Sequence, residues 1–514
     1  MKLLLIITLI QLISFSISQN DRLVFLYTHF RHGARAPMAI DGNFSDLVKE
    51  KWNNPGELTG IGQRMHYLLG LRNRIKYIKN ETFLSEKFDP HEILIFSSNL
   101  NRTIISASSH LQGFFPQSSG EGEILTKKQE NVAYPVVDVN CEEINNEIKN
   151  LNGSALPYKM TLAPVRMIND NDKKMNVYDL SECVEERDRV KKKNRETIPY
   201  LNNITREYNY KYGEALNKFF GTKNKTFIMS DIADFCDAFL SSYTDQRNLT
   251  EFKKTQLDLN EINDYCYEFF RVIYLYLFHG DKDKILAHVD SSKLMSELIY
   301  YMKRRLDADI TEEDEDANFK DYSIPKMLMI SGHDSTASAD EIFLLNALGL
   351  NTTEKYIFPR YASQLALEVR AKDDSKKPTS YSDYYVVVYF NDQELFNVPA
   401  DEFIKKVEAD IWSQEKIDDF CGFGDQINSK ITNEKNGNDG NSLVNLDLKE
   451  SKKKDKEKNA YKVLMIIFIC LSFILLVTTL LFAYIAYKLY QRKAPLGANY
   501  NSKKMAKYSS ENII

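Results

Sequence analysis

Four stretches of the chain carry apolar, β-branched or aromatic residues in nearly unbroken runs: Leu23–His29, Glu92–Phe96, Met327–Ser331 and Tyr384–Phe390. Runs of that length predict strands buried inside a sheet. Elsewhere the apolar positions change to helical spacing, over Gly60–Leu71, Arg102–Phe115 and Ser338–Leu348. Strands interleaved with helices predict an α/β sandwich with a mostly parallel central sheet. The stretch from about 120 to 320 breaks this rhythm. It is charged and helix-like with no convincing strand run, and reads as a helical cap inserted into the sandwich.

The two ends follow different patterns. Lys2 and the apolar run Leu3–Ile13, followed by Ser16-Ile17-Ser18, have the form of a cleaved secretory signal over 1–18. Near the other end Val463–Tyr487 is free of charge and about 25 residues long, enough to cross a bilayer. Lys462 and Lys488 bracket it, with Tyr461, Tyr484, Tyr487 and Tyr490 at interfacial depth. The expected order is a signal peptide (1–18), a lumenal domain (19–427), a flexible stalk (428–460), a transmembrane helix (461–487) and a cytosolic tail (488–514). That is a single-pass type I protein of a lysosome, digestive vacuole or cell surface.

Composition changes this picture in three respects. The formal charge of −5 conceals a tail with six basic residues against one acid, so the lumenal body is more acidic than the total. An acidic body offers no basic face to a nucleic acid. Sequons at Asn43, Asn80, Asn101, Asn152, Asn203, Asn224, Asn248 and Asn351 all fall on the expected lumenal side. Five cysteines, Cys141, Cys183, Cys236, Cys266 and Cys421, would meet an oxidising compartment while Cys470 lies in the apolar span. Five cannot all pair, and spacing leaves their connectivity open.

Candidate chemistry gathers at the ends of predicted strands. The first strand runs into Arg31-His32-Gly33-Ala34-Arg35-Ala36-Pro37. Two guanidinium groups and an imidazole on one turn are costly together unless an anion joins them, and planar guanidinium matches phosphate oxygens. Gly33 would let the backbone turn closely around such an anion. The second strand ends at Ser97-Ser98, where Asn101-Arg102-Thr103 opens a helix. The third ends in Gly332-His333-Asp334-Ser335-Thr336. Alone, an arginine at a helix start is commonly just exposed, and a His-Asp pair can equally be a hydrogen-bonded turn. Ligands of open α/β sheets bind beyond the carboxyl ends of strands, so it is the set of three that points to one site.

Residues 22–37 resemble the R-H-G-x-R-x-P signature of the histidine acid phosphatases, the group of lysosomal, prostatic and phytase-type enzymes. Gly56–Gly62 is similar to the family's G-x-L-T-x-x-G helix start, Ser97–Ala107 to the segment of its second-site arginine, Gly332–Thr336 to its H-D motif, and Pro359–Ser363 to a late segment of animal-type members. The similarity spans nearly all of 22–423. It implies a phosphoglycerate mutase-like fold, His32 as nucleophile, Asp334 as proton donor, and Arg31, Arg35, Arg102 and His333 as phosphate ligands. It also implies a Cys183–Cys421 disulfide. Three departures are visible: Ala34 stands where animal-type members have Asp, Gln364 replaces a disulfide-forming cysteine, and the close cysteine pair near the end of those enzymes has no counterpart.

The implied activity is hydrolysis of small phosphate monoesters through a phosphohistidine at acidic pH, with no cofactor or metal. Adjacent guanidinium charges would keep His32 neutral in acid, and bound phosphate would favour a protonated Asp334. A glycan on Asn101 would obstruct the pocket, so that sequon is expected to be unmodified. An inositol-polyphosphate phosphatase needs more basic residues from the cap than an acidic body promises. A catalytically silent membrane glycoprotein of the same fold would be expected to have lost His32, an arginine or Asp334. A homodimer stays open.

Overall fold

Among the described residues seven strands form one sheet: β1 (Arg22–Arg31), β2 (Ile93–Ser98), β3 (Arg166–Ile168), β4 (Met327–Gly332), β5 (Gln364–Ala371), β6 (Tyr384–Phe390) and β7 (Gln393–Pro399), in the order β3-β2-β4-β1-β5-β6-β7. The computed structural model describes residues 21–421 except for 39–51, 53, 117–123, 136, 138–140, 169–188, 191, 193–198, 281–282 and 312–323. The expected signal, stalk, membrane helix and tail, together with Cys183, Cys470 and Asn43, lie outside the described residues. Among the described residues no helix is long and apolar enough to cross a membrane.

The helices that bear on the site are α1 (Gly60–Arg74), α2 (Asn101–Phe114), α3 (Pro199–Phe220), α4 (Met229–Thr244), α5 (Leu259–His279), α6 (Ile285–Thr311), α7 (Asp334–Ala347) and α8 (Ala400–Asp410). Alternation along the inner strands divides their side chains between two faces. Leu26, Phe30, Ile93, Ile95, Met327 and Met329 pack with Ala107, Leu111 and Phe114 of α2. Phe25, Tyr27, Leu328, Ile330 and Leu367 pack with residues of α6, α7 and α8, including Leu298, Phe343 and Phe403. The result is a sheet covered on both sides, which is why its inner strands read as continuous apolar runs.

The sheet is mixed rather than mostly parallel. β1–β4, β2–β4 and β2–β3 are parallel, while β1–β5, β5–β6 and β6–β7 are antiparallel. Of the antiparallel half β6 was expected, and β5 escaped the reading because it buries polar groups inside the body. Glu368 on β5 is 1% exposed. It accepts a hydrogen bond from the Tyr77 hydroxyl at 2.9 Å and pairs with Lys76 at 2.6 Å and Arg370 at 3.0 Å. β6 and β7 join through Asn391 and Asp392, both at positive φ (46° and 71°), the backbone a tight hairpin requires. β3, three residues long, lies within the stretch where no strand was expected and is too short to show a period.

The helical stretch itself divides. α3, α4 and the first half of α5 enclose a separate aromatic core of Tyr208, Phe235, Phe239 and Phe269. A Cys236–Cys266 disulfide ties α4 to α5 within it. Leu275 and Phe278 at the far end of α5 belong to the main core, as does α6. Cys141 is a free, exposed thiol, and Cys421 is disulfide-bonded.

Candidate active site

The parallel half of the sheet brings three strand ends to one edge. Arg31 of β1 is in register with Gly332 of β4, and Ser97 of β2 with Ser331 of β4. Beyond that edge the chain is tied down by backbone bonds from His32 N to Gly332 O (3.0 Å), Arg31 N to Ser363 O (3.0 Å) and Ala362 N to His32 O (3.1 Å). Arg31, His32, Arg35, Arg102, His333 and Asp334 all line one open cavity of about 330 Å3. The six residues singled out in the sequence therefore converge.

His32 is enclosed by this scaffold, and its Nδ1 donates to the carbonyl of Gly33 at 2.8 Å. A carbonyl can only accept, so the neutral ring carries its proton on Nδ1 and Nε2 keeps the lone pair. Burial pushes the His32 pKa well below its ordinary value, and the charges of Arg31, His333 and Arg35 push it further. Gly33 has a different reason from the expected one. A Cβ on it would lie 2.3 Å from the Gly62 carbonyl oxygen, and a Cβ on Gly62 would lie 2.2 Å from that of Ala34. Two glycines thus let the start of α1 press directly against the loop that holds His32.

The arginines are held by different partners. Arg31 ion-pairs with Asp334 at 2.7 Å, donates to the Pro359 carbonyl at 2.7 Å, and lies 4.4 Å from the centre of the Tyr361 ring. Arg35 is gripped by Asp237 of α4 through Nη2 at 2.8 Å and Nη1 at 3.4 Å. Arg102, at the first turn of α2, reaches His333 Nδ1 at 3.4 Å. Burial, then the nearby charge of Arg35, lowers the Arg102 pKa to about 10. The Nε atoms of all three arginines are buried without a protein hydrogen-bond partner, which leaves donors for an anion.

His333 and Asp334 open α7. His333 Nε2 meets the Ser98 hydroxyl at 3.0 Å, and its ring stands nearly edge-on to that of His32, centroids 5.3 Å apart. Burial, then Arg102 and Arg31, pushes the His333 pKa well below the usual range. Asp334 Oδ1 accepts from Ser335 N at 2.8 Å and from the Tyr274 hydroxyl at 3.3 Å, so the carboxyl is oriented on one oxygen while the other faces Arg31.

The opposite wall comes from the cap, and sequence reasoning missed it. α4 contributes Ala233, Asp234, Asp237 and Leu240, and α5 contributes Tyr267, Phe270 and Tyr274. Asp237 also accepts from Met38 N at 2.7 Å, closing the signature loop against the cap. No local pattern marks these residues, since acids and aromatics at helical spacing are ordinary on a cap helix. Asn101, beside Arg102 in sequence, stands exposed and donates its amide to Glu57 at 3.1 Å. Among the described residues no group of His, Cys, Asp and Glu is arranged to hold a metal ion.

Residues 22–391 match the sequence profile of the histidine phosphatase superfamily (branch 2). Lysosomal acid phosphatase of Xenopus laevis is 35% identical over 102 residues, which is 20% of this chain and 22% of that protein. Prostatic acid phosphatase of Homo sapiens is 38% identical over 96 residues, 18% of this chain and 24% of that protein. The matched stretch thus spans about a quarter of the length of these relatives. Among solved structures, the phytase from Citrobacter braakii superposes with a TM-score of 0.50 at 13% identity, covering 78% of this chain and 99% of the phytase. At that identity the likeness is one of fold.

Proposed function

Because the chain belongs to the histidine phosphatase superfamily (branch 2), we propose that it is an acid phosphatase that hydrolyses phosphate monoesters through a phosphohistidine on His32. The observation that carries this reading is the tie from His32 Nδ1 to the Gly33 carbonyl, which commits Nε2 to attack within reach of three guanidinium groups. Nε2 forms a bond to phosphorus as the ester P–O bond breaks. Asp334 gives its proton to the departing oxygen. Water then attacks phosphorus, the Asp334 carboxylate takes its proton, and His32 leaves with inorganic phosphate released. Positioning and charge stabilisation supply most of the rate, as expected for phosphoryl transfer.

An acid optimum follows from the enclosure of His32, which stays an unprotonated nucleophile well below the pH at which a free imidazole charges. The substrate we favour carries one phosphate. Among the described residues the arginines lining the cavity are Arg31, Arg35 and Arg102, and on this reading all three serve the transferred group. The cap wall meets the rest of the substrate with tyrosines, Phe270 and the exposed Asp234, which would repel further phosphates. We place this domain on the lumenal side of a lysosomal, vacuolar or plasma membrane, on the strength of the apolar runs at 3–13 and 463–487.

The test is an assay of the full chain on an aryl phosphate across pH, with quenched-flow trapping of acid-labile phosphate. We expect activity that peaks below neutral pH and label that disappears in His32→Ala. An optimum above neutral, or turnover without labelled histidine, would refute the reading.

A further inference from the structure

A second polar chain lies behind the site, and the reaction as described does not use it. Tyr27, His29 and Arg31 alternate along β1 onto one face. His29 is fully buried, with Nδ1 2.7 Å from Oδ2 of Asp340, itself 2% exposed on α7. The Tyr27 hydroxyl donates to the same carboxylate oxygen at 3.1 Å. On the other side of the ring, Nε2 lies 3.2 Å from the hydroxyl of Thr336, and that hydroxyl oxygen lies 3.1 Å from the backbone nitrogen of His333. With Asp340 fixing the proton on Nδ1, every bond in the chain has one direction. His333 N–H donates to Thr336, the Thr336 hydroxyl donates to His29 Nε2, and His29 Nδ1–H donates to Asp340. The His333 carbonyl, 3.2 Å from the same hydroxyl, is its competing acceptor.

Two features separate this chain from an ordinary helix cap. Thr336 alone could cap α7 by reaching back to His333 N, so capping does not call for a buried histidine and carboxylate. Gly332, the last residue of β4, is also explained by it. A Cβ there would lie 2.3 Å from His29 Nε2 and 2.7 Å from Thr336 Oγ1, so the strand must end in glycine for the histidine to reach the turn. A carboxylate and an imidazole sealed in a core are costly to keep there and add little net stability, which calls for some other role.

We propose that His29, Asp340 and Thr336 are positioning residues for phosphoryl transfer. They fix the backbone at the β4–α7 turn so that His333 meets the phosphate and Asp334 meets the leaving oxygen. This rests on the acid phosphatase reading. Misplacing such groups by about an ångström costs on the order of 10²-fold in rate.

The experiment compares three full-length variants with wild type on one aryl phosphate: His29→Leu with Asp340→Leu together, Thr336→Val, and Thr336→Ser. The paired leucine variant removes both members, so no unpaired charge is left buried. We expect it to melt near wild type while kcat falls about 10- to 100-fold and KM moves less than about 2-fold. Thr336→Val is expected to show the same split, and Thr336→Ser, which keeps the hydroxyl, to restore turnover. Wild-type kcat in the paired variant, or in Thr336→Val should the paired variant not fold, overturns the positioning role. A wild-type chain without phosphatase activity overturns instead the reading on which it rests.

Discussion

The two sides of the cavity are built by different means. Its floor is the edge of the parallel half-sheet, where β1, β2 and β4 end in register and hand Arg31, His32, Arg102, His333 and Asp334 to one place. Its wall is a pair of cap helices with their own aromatic core and a disulfide between them. The backbone of the floor is tied down by hydrogen bonds between strand ends and loops, whereas the wall is held by packing between helices. The two meet at Arg35–Asp237, the ion pair that joins the signature loop to α4. On the proposed reading the two have separate tasks: the floor would transfer phosphate, and the wall would decide what the phosphate is leaving.

The comparison breaks most decisively at His32. Replacing it with Ala removes the proposed nucleophile, and kcat is expected to fall by at least about 10⁴-fold in a steady-state assay. A residual rate near wild type would mean the floor does not perform covalent transfer. Next comes Arg102→Ala, which deletes one guanidinium from the charge-stabilising set and leaves His333 without its partner at 3.4 Å. A loss of about 10²- to 10³-fold in kcat/KM is expected by analogy with single oxyanion donors. An effect confined to KM would recast Arg102 as a residue of ground-state binding alone.

The same division explains what was legible in the sequence. β1, β2, β4 and β6 announce themselves because both their faces are buried. β5 does not, because Gln364, Glu368 and Arg370 occupy positions that a local pattern assigns to solvent but that are buried among partners from distant segments. The floor residues were readable because each lies at a strand end or a few residues beyond it, so sequence neighbours are also spatial neighbours. Asp237 was not, since it meets Arg35 across 202 residues of chain and sits in an ordinary amphipathic helix. Tyr274 orients Asp334 from 60 residues away with no motif of its own. The Cys236–Cys266 bond likewise depends on how two cap helices pack.

Acid sharpens the contrast, because the two sides carry different titratable groups. The chain has no histidine between Leu111 and Phe278, whereas His32, His66, His110 and His333 lie in or beneath the floor, all with pKa values lowered chiefly by burial. For His66 the value is about 4; the hydrogen bond it donates to the Arg31 carbonyl at 3.0 Å only partly offsets burial. Between pH 6.5 and 4 the unfolded chain takes up a proton on His66 that the folded chain refuses, so stability falls as pH drops through that window. The cost is about 1.4 kcal/mol per pH unit, or about 2 kcal/mol at pH 5. His66→Gln keeps a donor for Arg31 O and removes the titration. Urea unfolding at pH 7 and pH 5 is expected to show a difference smaller by about 2 kcal/mol in the variant, and an unchanged difference would place the acid sensitivity elsewhere.

The smallest effect belongs to the wall. Asp234 stands one helical turn before Asp237 on α4 and lines the cavity, but Asp237 is engaged by Arg35 and Met38 N while Asp234 faces the opening. Burial and the charges of Asp237 and Asp231 raise its pKa, the sign of a carboxylate crowded by its own kind. A second phosphate on the substrate would meet this charge through water, where a Coulomb interaction is weak and salt-screened. Asp234→Lys is therefore expected to raise kcat/KM for a sugar bisphosphate relative to the matching monophosphate by only about 5-fold at low ionic strength, fading in ~0.5 M salt. The ratio is the informative quantity, because a general disturbance of the cap would lower both substrates together. An unchanged ratio would remove Asp234 from substrate choice and leave the aromatic residues of α5 as the whole of the discriminating wall.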